Sequence, residues 1–61
     1  MLDLTQQELQ NLRHLISSHE LAEKKFNSFA EACTDPQIKQ MFQQSAKSAS
    51  QTRQKLMSFL G

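Results

Sequence analysis

Apolar residues recur along this chain at intervals of three and four, the spacing that lays one stripe along an α-helix. The first stripe runs Leu9, Leu12, Ile16, His19, Glu23, Phe26, Ala30 and Cys33, a strict alternation of three and four. Leu15, Ala22 and Phe29 flank it, each separated by one heptad. A second stripe runs Ile38, Phe42, Ser45, Ala49, Thr52, Leu56 and Phe59, widened by Met41, Ala46 and Leu60. Two such stripes predict two helices suited to bundle packing at crossing angles near +20°.

The punctuation agrees with the period. Thr5-Gln6-Gln7-Glu8 fits a capping box, in which the Thr hydroxyl and the Glu carboxylate each satisfy a backbone donor. Leu4 and Leu9 are spaced to staple that cap. Asp35 followed by Pro36 is a second helix start, because Pro at the first helical position lacks only an N–H that would have no partner. Gly61, the single glycine, is the last residue. These signals predict a single domain over 1–61, with helix 1 over about 6–33 and helix 2 over about 36–60, roughly 42 and 38 Å long. A tight connection at Thr34-Asp35 favours an antiparallel helical hairpin. One continuous bent helix is the rival, and Asp35-Pro36 argues against it. Folding about the turn pairs residues whose numbers sum to about 70, placing Phe26 near Ser45, His19 near Thr52, and Leu12 near Phe59.

Composition adds an oligomer to this picture. A 61-residue chain that is 38% hydrophobic builds only a small core, and its single cysteine excludes an internal disulfide. Two helices cannot enclose both stripes. The expectation is an all-α homodimer, two hairpins forming one four-helix bundle, with Leu12, Ile16, Phe26, Phe42, Leu56 and Phe59 carrying the packing.

The formal charge of +1 argues against a polybasic nucleic-acid binder, and no aromatic stacking platform accompanies the bases. No apolar run approaches the roughly 18 residues of a membrane span. Met1-Leu2-Asp3-Leu4 lacks a secretory leader's basic start and apolar core, so a soluble intracellular protein is expected. Charge is divided: residues 1–35 carry six acids and three bases, whereas 36–61 carry Lys39, Lys47, Arg53 and Lys55 and no acid. That division suits pairing between the helices, a solvated face, or attraction to an acidic partner.

His19 and Glu23 are the anomaly of the first stripe, occupying positions where Leu or Ile is expected. At i, i+4 they share one helix face and could hold a Zn or Fe ion, with two His and two Glu converging in a dimer. Alternatively, His19 hydrogen-bonds Glu23 or Thr52 and fixes the packing register, or both side chains reach solvent. Glu20 and His14 point away and add nothing to a site. Cys33 reads as a small buried hydrophobe, with an intermolecular disulfide or a metal thiolate as alternatives. His19 lies some 21 Å along the same helix from Cys33, too far for a catalytic pair. No phosphate loop, nucleophile elbow or CxxC pair is present. The chain is therefore expected to be non-enzymatic, without an obligatory cofactor.

The order Leu4-Thr5-Gln6-Gln7-Glu8, then His19-Glu20-Leu21 leading into Lys24-Lys25-Phe26, then Ala32-Cys33-Thr34-Asp35-Pro36-Gln37-Ile38-Lys39, resembles short proteins of spore-forming Firmicutes. These are similar to the spore coat protein F family and have ferritin-like relatives, each short protein corresponding to half a ferritin-like bundle. The resemblance spans nearly the whole chain, with Cys33-Thr34-Asp35-Pro36 its most specific piece. It implies a structural or accessory role in the sporulating cell or spore coat, among other coat proteins. Ferritin-like di-iron enzymes carry a Glu on one helix and Glu-x-x-His on the next. Glu23 could stand for the first, but helix 2 has no Asp, Glu or His. That departure argues against an oxidase or iron-storage role. A metal-binding protein using His19 and Glu23, and an adaptor laying its apolar face on another protein's helices, are the competing expectations.

Overall fold

A computed structural model describes residues 4–60; the readings placed on Met1, Leu2, Asp3 and Gly61 lie outside them. The described residues form an antiparallel helical hairpin of α1 (Gln6–Ala32) and α2 (Pro36–Met57), ending in a single 3-10 turn over Ser58–Leu60. The capping box at Thr5 is complete. The Glu8 amide donates to the Thr5 hydroxyl at 3.1 Å, and the Thr5 amide donates to the Glu8 carboxylate at 3.2 Å.

The turn follows from three local choices. Cys33 leaves helical geometry at φ −85°, ψ 129°, while its amide donates to the Ala30 carbonyl at 3.3 Å. Its thiol lies 3.6 Å from the Asp35 carbonyl that accepts it. Asp35 is also extended, at φ −78°, ψ 120°, as a residue before proline prefers. Its carboxylate then accepts from the Gln37 and Ile38 amides at 2.8 and 3.1 Å. Asp35→Ala is expected to cost about 1–2 kcal/mol, because two amides lose their side-chain acceptor together. An unchanged midpoint in urea would mean that Pro36 alone starts α2.

The sheltered side of α1 carries Leu9, Leu12, Ile16, His19, Ala22, Glu23, Phe26, Ala30 and Cys33. On α2 the expected stripe is sheltered at Phe42, Ser45, Ala49 and Leu56, together with Ala46 and Arg53, whereas Ile38 and Thr52 are exposed in the single hairpin. Facing Arg53 inward gives Glu23 a cation. Phe59, on the 3-10 turn, is 40% exposed in the single hairpin, and the Ser58 hydroxyl donates to the Lys55 carbonyl at 2.6 Å.

Only alanines are buried among the described residues: Ala30, Ala46 and Ala49. Larger side chains remain half-buried or exposed, including the packing residues Leu12, Ile16, Phe26, Phe42 and Leu56, all half-buried. The hairpin measures 46 × 15 × 11 Å, and its radius of gyration of 14.3 Å exceeds the roughly 10 Å of a compact chain this long. No helix among the described residues is long and apolar enough to cross a membrane.

Candidate functional site

One broad side of the hairpin is grooved. At its centre lies an open depression of about 410 Å³ with His19, Ala22 and Phe26 on the α1 side. Gln44, Ser45, Ser48, Ala49 and Thr52 line the α2 side. Phe26 and Ser45, and likewise His19 and Thr52, thus border the same groove. Towards the open end a second depression, about 250 Å³, lies between Leu4, Glu8, Asn11, Leu12, Leu15 and Phe59. Leu15 and Phe29 stand half out of this side of α1, 46% and 49% exposed.

His19 is set by its own helix. Its Nδ1 lies 2.8 Å from the Leu15 carbonyl, which can only accept, so Nδ1 carries the proton. In the neutral ring the Nε2 lone pair is then the remaining acceptor, on the residue that borders the groove with Thr52. A backbone bond that orients one ring nitrogen and leaves the other to act is a common histidine arrangement.

Glu23 is engaged differently. Its Oε2 lies 3.6 Å from Arg53 Nε, with about a quarter of each side chain exposed, 27% and 25%. At 3.6 Å this is an ion pair rather than a hydrogen bond, and Arg53 Nε is buried with no hydrogen-bond partner. Arg53 also places Nη1 3.6 Å from the Met57 sulfur, so its stem packs along α2 while its head meets α1. His19 and Glu23 therefore share a helix face but engage different groups. Among the described residues no cluster of three or more His, Cys, Asp or Glu side chains is arranged to hold a metal ion. The exposed pair Glu20–Lys24, 3.7 Å apart at i, i+4, adds little.

Near the turn the contact is aromatic. Phe42 stacks on Phe26 at 6.4 Å and 26°, and meets Phe29 at 5.4 Å with a tilt of 52°. Spacing alone did not single out Arg53 or Ser48 as members of this arrangement. The available signal for Arg53 was Glu23 itself, an acid on a sheltered stripe that calls for a cation on the facing helix.

What the site offers is shape and hydrogen bonding: a groove walled by His19, Ala22 and Phe26 on one helix and mainly by small, hydroxyl-bearing residues on the other. Comparison with protein-family models, curated proteins and solved structures finds no match for this chain.

Proposed function

We propose that this chain is a non-enzymatic structural or accessory protein that works as a homodimeric, ferritin-like four-helix bundle, associated with the spore coat. One observation carries the assembly: among the described residues the hairpin buries alanines alone, while Leu15, Phe29, Ile38, Met41 and Phe59 stay at least 40% exposed. That is half of a core, and a second hairpin supplies the other half. The coat location and coat-protein partners rest on the resemblance of Cys33-Thr34-Asp35-Pro36 and its flanking helices to the spore coat protein F family.

Native mass spectrometry of untagged protein, purified without chelator, tests the assembly. A metal-free dimer is expected. A monomer at tens of micromolar would overturn it and move the apolar face to another protein's helices. A dimer holding stoichiometric zinc or iron would instead transfer the function to His19 and Glu23. Fractionation of purified spores tests the location, and absence from the coat fraction would remove that part of the reading.

A further inference from the structure

Resting on the homodimer reading above, we propose that the grooved side is the dimer interface. Two observations support it.

The first is area. The chain exposes 5010 Å², whereas a compact protein of 7.0 kDa exposes roughly 4,000 Å². The excess, about 1,000 Å², is close to the roughly 800 Å² that each partner contributes to a standard stable interface.

The second is placement. Leu15 and Phe29 stand on the heptad row of Ala22, Ile38 on that of Ser45 and Thr52, and Met41 on that of Ser48, so these exposed apolar side chains lie along the rows that line the groove. A second hairpin seated there covers them together. The opposite side carries the Glu23–Arg53 pair.

The test is Ser48→Glu, read by sedimentation velocity, with Asn27→Glu, one helical turn beyond Glu23, as control. Ser48→Glu is expected to weaken the dimer at least tenfold while Asn27→Glu leaves it intact. Because loss of the dimer could also unfold the chain, a second measurement uses spin labels at Ser48→Cys and at Asn27→Cys, each in a Cys33→Ser background. The interspin distance is expected to be shorter for Ser48. A wild-type dimer that Ser48→Glu leaves intact, or a shorter distance for Asn27, would overturn this interface and spare the homodimer. A wild-type monomer would overturn both.

Discussion

Replacing Phe42 with alanine is expected to lower stability by about 3 kcal/mol, the largest single loss for any side chain of the hairpin. Phe42 is the one ring that meets two others, Phe26 at 6.4 Å and Phe29 at 5.4 Å. Its truncation removes a half-buried aromatic surface and both ring contacts, each contributing about 0.5–1.5 kcal/mol beyond area. It also leaves Phe26 and Phe29 facing a void between the helices. Urea denaturation at one fixed protein concentration checks this, since association makes apparent stability depend on concentration. A loss below about 1 kcal/mol would mean that the rings do not hold the helices together.

The second large effect comes from adding atoms. Ala46→Leu is expected to destabilise by about 2–3 kcal/mol. Ala46 is 4% exposed and, with Ala30 and Ala49, is one of the three buried residues between α1 and α2 among the described residues. A leucine there must splay the helices or leave its rotamer well. Alanine and leucine have similar helix propensity, so the change reports packing rather than backbone preference. Met41→Leu is the control, since Met41 is 68% exposed and its replacement should fall within about 0.5 kcal/mol. Thermal melts followed by circular dichroism separate the two. An Ala46→Leu variant melting with wild type would show slack along the seam.

Much of the hairpin was legible from local chemistry. Thr5 and Glu8 are a cap whose partners lie within one turn, and Asp35-Pro36 starts a helix by the same kind of short-range bonding. The α1 stripe was legible because bulky residues and small ones alternate there without competition for the seam. On α2 the period placed Phe42, Ser45, Ala49 and Leu56 on the sheltered side but did not show that Arg53 joins them. That place follows from Glu23, which belongs to the other helix. His19 and Glu23 illustrate the same boundary. Their spacing sets where the Cβ atoms lie, but the Leu15 carbonyl and Arg53 set what each side chain engages.

The position of the aromatic cluster also orders events in time. Phe29 and Phe42 close a short loop about the Thr34-Asp35 turn, whereas Glu23 and Arg53 close one more than twice as long. Each doubling of a loop adds about 0.6 kcal/mol of closure entropy when the contact forms alone. Formed after the rings, the ion pair closes only the increment between them. The hairpin therefore zips from the turn, with Phe42 as the first tooth, and the end holding Leu4 and Phe59 is the last to close and the first to part.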